Sequence, residues 1–392
     1  MYSLLLMIIY LAFISLGLPD SLLGSAWPVM QGQLAVPVSY AGLVTMIISV
    51  GTIVSSLLSD RLTRRFGAGL VTGFSVLLTA VALFGFSFST AFWQLCLWGI
   101  PYGLGAGAVD ASLNLYVALH YPSRHMSWLH CSWGVGAAIS PYIMGHYLTQ
   151  QNWQGGYRAV GFLQLGLTAV LFLSLPLWRM QQTRRQSQQT EPLPTSKHLR
   201  FQEIFRLRGI PYVLVTFLAY CALESTTGLW ASTYLVQARQ VDPEIAARFA
   251  SFFFLGITFG RFLSGFFADR LGDRQLIRFG TGILLGGILC VLLPVKTDGL
   301  ALAGLLIIGF GCAPIYPAII HATPDHFGAE HSQSVIGVQM AAAYVGTTFL
   351  PPLFGGLVEY ISISLYPVYL LFFGLLIWVT SERLRKVLPS VK

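Results

Sequence analysis

Apolar runs of roughly twenty residues or more recur along this chain of 392 residues, with turn residues or charges between them. A helix needs about 20 apolar residues to cross the hydrocarbon core of a bilayer. Hydrocarbon offers no partner to backbone N–H and C=O groups, so a spanning segment must be a helix or part of a closed β-barrel. A barrel would alternate apolar and polar residues over ~10-residue strands, and the chain shows no such alternation. The sequence therefore predicts an all-α integral membrane protein.

The chain contains twelve apolar runs. They lie at roughly 3–31, 39–61, 68–88, 91–119, 127–148, 155–178, 210–237, 245–269, 275–294, 299–321, 332–359 and 364–381. One long polar segment separates six runs from six. We therefore predict a six-helix bundle over 1–178, a linker over 179–208 and a second six-helix bundle over 209–392. The first run lacks a positively charged start and an A-x-A site, so we expect a retained helix and not a cleaved signal peptide.

Charge is scarce and unevenly distributed. Charged residues make up 10% of the chain and hydrophobic residues 55%, whereas a soluble domain has about 25% charged residues. This composition excludes a soluble or disordered protein. Eighteen Lys and Arg lie on the side of the linker and both termini, and four lie on the other side. Because positive loops stay inside, we expect cytoplasmic termini, and the net charge of +8 does not indicate a nucleic-acid partner.

The two halves of the chain match each other at a nearly constant offset. The matching pairs are Asp20-Ser21-x-x-Gly24 with Glu224-Ser225-x-x-Gly228, Gly51-x3-Ser55-x4-Asp60-Arg61-Leu62 with Gly260-x3-Ser264-x4-Asp269-Arg270-Leu271, and Gly136-x4-Pro141-x3-Gly145 with Gly346-x4-Pro351-x3-Gly355. Two parallel six-helix repeats are typical of transporters whose substrate site lies near the middle of the membrane, between the repeats. The repeat therefore favours a transporter.

These features resemble the major facilitator superfamily over nearly the whole chain. The loop Asp60-Arg61-x-x-Arg64-Arg65 resembles the family's G-x-x-x-D-R-x-G-R-R signature, although Ser56 and Thr63 replace its glycines. The second copy, Asp269-Arg270-Leu271-Gly272-Asp273-Arg274, fits better. The resemblance implies a cytoplasmic gate in which each aspartate meets the N-terminal end of a helix in the opposite half. Its predicted residues are Asp60, Arg61, Arg64, Asp269, Arg270 and Arg274; the alternative is solvated loop charges.

Within the superfamily, the chain is similar to the fucose permease branch, which also contains sodium-dependent glucose carriers. The similar stretches are Ala108-Val109-Asp110-Ala111-Ser112-Leu113-Asn114, Trp128-Leu129-His130-Cys131-Ser132-Trp133-Gly134-Val135-Gly136 and Glu224-x3-Gly228-x-Trp230-x3-Tyr234. The chain differs from drug–proton antiporters, which usually have an arginine where Gly99 stands. The resemblance therefore implies sugar import more than drug export.

Four charges lie inside the apolar runs: Asp20, Asp110, Glu224 and Arg261. A charge at the bilayer centre costs about 2.5–3.5 kcal/mol on insertion scales, so each needs a reason. Asp110 has no acidic counterpart in the second repeat, and Asn114 lies one helical turn further on the same face. We predict that Asp110 couples transport to protons; a structural carboxylate and a sodium site are the alternatives. For Arg261 we expect a side chain that extends to the interface or pairs with a neighbouring helix.

Asp20 and Glu224 occupy equivalent positions in the first helix of each repeat, which lines the central cavity in this family. A sugar needs acceptors for its hydroxyl groups and an apolar face for its C–H surface, and carboxylates, amides and aromatic rings supply these. The predicted substrate-binding residues are Glu224, Asp20, Asn114, His130, Trp133, Trp230, Tyr234, Tyr316, Gln339 and Tyr344. The alternatives are contacts between helices for Glu224, a helix break at Pro19 for Asp20, and packing for the aromatic residues.

The predicted function is secondary active import of a small polar solute, a sugar, by proton symport with alternating access. The alternatives are a proton-coupled drug or metabolite exporter and a transport-inactive membrane sensor. The sequence has no H-E-x-x-H, no G-x-S-x-G context, no Walker A loop and no metal-ligand spacing of Cys and His, so we expect neither an enzyme nor an ATP-driven pump. We expect no cofactor and no metal. The expected partners are the solute, a proton or sodium ion and the lipid bilayer, for a monomer in a bacterial inner membrane.

Overall fold

The computed structural model describes residues 2–121, 123–178, 201–293 and 298–388, and the secondary structure of these residues is helical, without β-strands. The first half forms α1 (Tyr2–Asp20), α2 (Leu22–Gln33), α3 (Tyr40–Phe66), α4 (Ala68–Phe88), α5 (Phe92–His120), α6 (Ser123–Leu148) and α7 (Trp153–Leu173). The second half forms α8 (Phe201–Arg206), α9 (Ile210–Arg239), α10 (Pro243–Leu271), α11 (Asp273–Leu292), α12 (Asp298–Cys312), α13 (Ile315–His321), α14 (Thr323–Phe327), α15 (Ala329–Tyr360), a 3₁₀ turn (Ile363–Leu365) and α16 (Tyr366–Val387).

Ten helical segments of this described part are long and apolar enough to cross a membrane. Helices α5 and α6, with 29 and 26 residues, cover the two remaining predicted runs. The first run is divided into α1 and α2, and the tenth into α12 and α13. The predicted all-α fold with twelve spans is therefore confirmed. Most of the predicted linker, 179–200, lies outside the described residues.

The same helix pairings occur in both halves of the chain. In the first half, α1 packs on α6, α3 and α4 pack on α5, and α4 packs on α7. In the second half, the equivalent pairs are α9 with α15, α10 and α11 with α12, and α11 with α16. The repeat seen in the sequence is thus also a repeat of helix pairing.

The three most extensive helix contacts between the two halves are α6 with α10, α3 with α15, and α2 with α9. Exchanging the halves converts the first pair into the second, so the interface has approximate two-fold symmetry. We call the side with the turns at Gly67 and Gly272 the linker side, and the opposite side, with the turns at 34–39 and 240–242, the far side.

Close backbone approaches between the halves lie on the far side. A Cβ atom added to Gly24 of α2 would lie 2.4 Å from the Gly228 carbonyl oxygen of α9, and one added to Gly42 of α3 would lie 2.5 Å from the Pro352 Cα. Ser39 also donates a hydrogen bond to the Glu359 carboxylate at the end of α15. Small residues allow this approach, as is common between membrane helices, and together these contacts close the far side.

Candidate functional site

A helix break at mid-membrane places the carboxylate of Asp20. Pro19 has no N–H, so the Ser15 carbonyl loses its helical donor, and Gln164 of α7 donates its Nε2–H to that carbonyl at 2.7 Å. In the same way Pro141 frees the Ala137 carbonyl of α6, which accepts a hydrogen bond from Ser21 Oγ at 2.7 Å. These two bonds satisfy the backbone around the break, so α1 can end at Asp20 within the bundle.

The Asp20 carboxylate accepts two hydrogen bonds from neighbouring helices. Tyr102 of α5 donates its hydroxyl to Oδ1 at 2.9 Å, and Trp133 of α6 donates its indole N–H to Oδ2 at 2.7 Å. The residue is nevertheless exposed. Because the packing of Gly24 on Gly228 lies between Asp20 and the far side, we infer that this carboxylate is reached from the linker side.

The second half contributes a buried ion pair next to the same indole. Arg261 of α10 is only 6% exposed, and its Nη2 lies 3.3 Å from Glu224 Oε1 of α9. The guanidinium Cζ of Arg261 also lies 5.3 Å from the centre of the Trp133 ring. Asp20, Trp133, Arg261 and Glu224 therefore form a continuous polar chain, which we call the bridge, from the first half to the second.

The segment of α6 around Trp133 packs on the second half. The Cys131 Sγ lies 3.7 Å from the Thr258 carbonyl oxygen of α10, and a Cβ on Gly134 would lie 2.2 Å from the Thr258 hydroxyl. The His130 ring packs edge-on against Phe13 at 5.7 Å and lies 6.2 Å from the Tyr316 ring of α13. His130, Trp133 and Tyr316 thus lie together at the interface of the halves, as a shared cavity requires.

Asp110 and Asn114 form a pair one turn apart on α5. Asn114 donates its Nδ2–H to Asp110 Oδ1 at 2.8 Å. The Asn114 Oδ1 atom is buried, and it has no hydrogen-bond partner within the described structure. The predicted proximity of these two side chains is present, and the amide leaves an acceptor available next to the carboxylate.

The other predicted substrate-binding residues lie apart from the bridge. Trp230 is fully buried and donates its N–H to the Pro351 carbonyl at 3.0 Å. Tyr234 stacks on Tyr366 with ring centres 4.9 Å apart. Gln339 is also fully buried and accepts a hydrogen bond from Thr323 at 3.1 Å. In this conformation these three side chains pack within the second half.

Tyr344 of α15 is a further predicted residue that lies between the halves. It is half-buried and hydrogen-bonds with Ser56 of α3. Ser56 in turn donates to the Gly107 carbonyl of α5 at 3.1 Å. Tyr344 therefore belongs to the α3–α15 interface, on the opposite edge of the bundle from the α6–α10 interface.

The predicted gate is described only in part. Arg61 and Arg270 are exposed on the linker side, and Arg274 donates to the Leu388 carbonyl at 2.6 Å. The side chains of Asp60, Arg64 and Asp269 lie outside the described residues. The gate therefore stays a prediction.

Histidines of the linker-side loop have polar partners of their own. His321 Nδ1 lies 2.8 Å from the Asp273 carboxylate. Burial and the nearby Arg274 guanidinium lower the pKa of His326. Within the described part of the chain, no group of three or more His, Cys, Asp and Glu side chains is arranged to hold a metal ion.

The structure gives partners to Arg261 and adds two residues near Asp20, Tyr102 and Gln164, that are absent from the predicted site. Arg261 was expected only to extend to the interface or pair with a neighbouring helix, and the structure pairs it with Glu224 and with the Trp133 face. Tyr102 bonds Asp20, and Gln164 bonds the Ser15 carbonyl at the helix break. Each of these three residues is a polar side chain inside an apolar run, and this pattern alone does not indicate which residue it contacts.

Comparison with known proteins identifies a family. The family model for the Major Facilitator Superfamily matches residues 9–351 and, in a second match, 212–389. A solved structure described as a bacterial homolog of the human lysosomal transporter Spinster, in an inward-facing and occupied conformation, has a TM-score of 0.73. It covers 100% of this chain and 99% of that chain at 12% identity, so the likeness shows the fold alone.

Three curated relatives are similar at low identity. "Bypass of stop codon protein 6" of Saccharomyces cerevisiae is 22% identical over 67% of this chain and 56% of its own length. The glucose/mannose transporter GlcP of Bacillus subtilis is 22% identical over 63% of this chain and 61% of its own. The probable nitrate/nitrite antiporter NarK1 of Thermus thermophilus is 24% identical over 76% and 72%. The chain thus spans less than two thirds of the first two proteins.

Proposed function

Because this chain belongs to the Major Facilitator Superfamily, we propose that it is a secondary active transporter that imports a small polar solute, a sugar, by proton symport. The family consists of membrane transporters and not of enzymes. The 6+6 fold supports alternating access, in which the bundles over 1–178 and 209–392 rock against each other and expose a central site to each side in turn.

The bridge is the observation on which this proposal rests. Asp20 is an exposed carboxylate near mid-membrane, so a solute that enters from the linker side can donate hydroxyl hydrogens to it. Trp133 donates its N–H to Asp20 and supplies a ring edge, and Arg261 of the second half lies over the face of the same ring. Both halves contribute to this group, so a solute bound there contacts both and can respond to their relative movement.

Sugar is the proposed solute class for two reasons. A carboxylate with a tyrosine, an indole and an amide nearby suits a ligand with several hydroxyl groups and an apolar face. The similarity to a protein named as a glucose/mannose transporter agrees with this chemistry. We also propose the fucose permease branch within the family, on the stretches 108–114 and 128–136.

Proton coupling is proposed through Asp110. This carboxylate lies on α5, within the membrane, and its described partner is the neutral Asn114 amide and not a cation. A carboxylate in such surroundings can bind and release a proton during the transport cycle. The unpaired Asn114 oxygen keeps sodium as the ion against which the proposal must be tested.

We further propose a monomer in a bacterial inner membrane with both termini in the cytoplasm. The distribution of Lys and Arg supports this orientation, because it places the linker side inside. In this orientation the linker-side access to Asp20 is cytoplasmic, which agrees with release of an imported solute into the cell.

The test is uptake by purified protein in liposomes. Labelled monosaccharides are supplied outside under three conditions: an inward proton gradient, an inward sodium gradient and no gradient. We expect uphill uptake of at least one monosaccharide with the proton gradient alone, and its loss when an ionophore collapses that gradient. Uptake driven by the sodium gradient alone would show that sodium, and not the proton, is the coupling ion.

A thermal-shift screen of the purified protein against sugars and drugs at two pH values complements the uptake assay, because a ligand stabilises the state it binds. Stabilisation by a sugar supports import. Stabilisation by lipophilic cations, without any by sugars, would instead favour the exporter.

A further inference from the structure

Trp133 is the point at which the polar groups of the two halves meet. Its N–H lies 2.7 Å from Asp20 of the first half, and its face lies 5.3 Å from the guanidinium of Arg261 of the second half. Its ring also contacts Phe254 of α10, with centres 6.2 Å apart and planes at 72°. The indole thus contacts a carboxylate with one part and a cation with another.

These two contacts strengthen each other. An aromatic ring is positive at its edge and negative over its face, so a carboxylate at the N–H edge and a cation over the face are both attracted. Hydrogen-bonded groups in a low dielectric polarise one another. The Asp20 carboxylate therefore makes the Trp133 face more negative and increases its attraction for Arg261. Removing the charge of Asp20 therefore weakens the contact between Trp133 and Arg261, although Asp20 is not part of that contact.

Arg261 is buried beside Glu224 and Tyr220, and its ion pair with Glu224 is long. Its Nη2 lies 3.3 Å from Glu224, which is long for a charge-assisted hydrogen bond. Its Nε atom is buried, and the described structure provides no hydrogen-bond partner for it. A modest change in the attraction from Trp133 can therefore change the position of Arg261 relative to Glu224.

We propose that Trp133 is a positioning residue that transmits changes around the Asp20 carboxylate to the Arg261–Glu224 ion pair, and so stabilises the arrangement that is open on the linker side. This proposal rests on the proposed function in one respect, because it takes the imported solute as the ligand that changes the surroundings of Asp20. A hydroxyl group that donates to Asp20 competes with the Trp133 N–H, which loosens the contact of the ring with Arg261 and favours separation of the halves at this point.

The experiment measures the distance between two spin labels on the linker side, one in each half, without any solute. Suitable positions are Phe66 at the end of α3 and Gln275 on α11, both of which are exposed. The five native cysteines are replaced by alanine, except that Cys131 becomes serine because its Sγ lies near the Thr258 carbonyl. The relative population of the long and short distances gives the ratio of open to closed protein.

Trp133→Phe keeps an aromatic face for Arg261 and removes the N–H that bonds Asp20. We expect the ratio of open to closed protein to fall by about five-fold or more, which is the lower end of typical coupling between sites. The matched control is Trp153→Phe, which removes an indole N–H bonded to Gln33 within the first half at 2.9 Å. This control should leave the ratio unchanged. Equal ratios in the two variants would overturn the proposal.

Asp20→Asn tests the charge without disturbing the ring packing. We expect it to lower the ratio as Trp133→Phe does, and the double variant Asp20→Asn/Trp133→Phe to lower it no further than either single variant. If the two effects multiply instead, Asp20 acts on Arg261 without Trp133 and the proposed route is wrong. This readout needs no solute, so it can fail while sugar uptake succeeds, or succeed while sugar uptake fails.

Discussion

Two prolines determine where the side chains near the helix break can hydrogen-bond. Each removes a helical N–H, and the carbonyl it frees takes a side-chain donor from another helix: Gln164 for Ser15, and Ser21 for Ala137. Such exchanges keep buried backbone groups paired. Asp20 follows the first proline directly, so the pairing that satisfies the break also positions the carboxylate.

Gln164→Met leaves the Ser15 carbonyl without a donor at almost unchanged volume. Gln164 is 1% exposed, so we expect a loss of about 1–3 kcal/mol in the free energy of unfolding, seen as a lower melting temperature in detergent. The control is Gln275→Met, at an exposed position of α11, which should melt like the unmodified protein. Equal melting of both variants would contradict the account of the break.

The ion pair makes a second prediction for single residues. Glu224→Leu leaves the guanidinium of Arg261, 6% exposed, without its carboxylate, and losing one partner of a buried pair costs about 3–5 kcal/mol. We expect Glu224→Leu/Arg261→Met to melt above the single variant, because both charges are then removed. A double variant that melts below the single one would show that Arg261 is stabilised mainly by other groups.

At the scale of helices, the far side is closed by glycine contacts. Gly24→Val places a side chain where the Gly228 carbonyl already lies within 2.4 Å of the Cβ position, so α2 and α9 must separate. We expect spin labels on the far side, at Gln150 and Tyr360, to shift toward longer distances. Gly32→Val on the same helix has no atom within 4 Å of its Cβ position and should cause no shift, whereas a shift in both variants would assign the effect to α2 itself.

The linker-side turns show how the two copies of the loop differ. Helix α3 continues through Phe66 and turns at Gly67 (φ 82°, ψ 151°), whereas α10 stops at Leu271 and turns at Gly272 (φ 73°, ψ 156°). The residue aligned with Gly272 by sequence is Thr63, which lies inside α3. Helix α3 therefore continues about one helical turn further before the chain reverses. Gly67 makes the turn there, in place of a glycine at position 63.

Gly272→Ala tests this turn. Its backbone lies in a region that only glycine adopts readily, and we expect a loss of about 1–3 kcal/mol in the free energy of unfolding. The Cβ position is open, without any atom within 4 Å, so the loss would reflect backbone strain alone. Gly286→Ala is the control, since it is also open but helical and should be neutral or stabilising. Similar melting temperatures for both variants would show that a residue other than glycine causes no backbone strain at position 272.

At the scale of the whole molecule, coupling and exchange can be separated. Asp110→Asn keeps the size of the side chain and removes its proton-binding charge. We expect this variant in liposomes to lose uphill sugar uptake driven by a proton gradient and to keep exchange of labelled for unlabelled sugar. Asn114→Asp, one turn away on α5, is the companion variant and should change the pH dependence of uptake. Unchanged uphill uptake by Asp110→Asn would rule out the assigned role.

Much of the molecule follows from local pattern. The lengths of the apolar runs were sufficient to place the spans, because a helix must bridge a fixed thickness of hydrocarbon. Pro19 was sufficient to suggest a break, since proline lacks the helical donor. Asp20, Glu224 and Asp110 could be selected from sequence because a charge in an apolar run is costly.

The tertiary structure alone decided which of these groups meet. Trp133 lies 113 residues from Asp20 along the chain, and Arg261 is in the other half, so no periodicity in the sequence relates the three. It also placed Trp230 and Tyr234, which are predicted substrate-binding residues like Trp133, inside the packing of the second half. Sequence determines which side chains are too polar for their surroundings, but only the packing of helices from distant parts of the chain determines the partners that stabilise them.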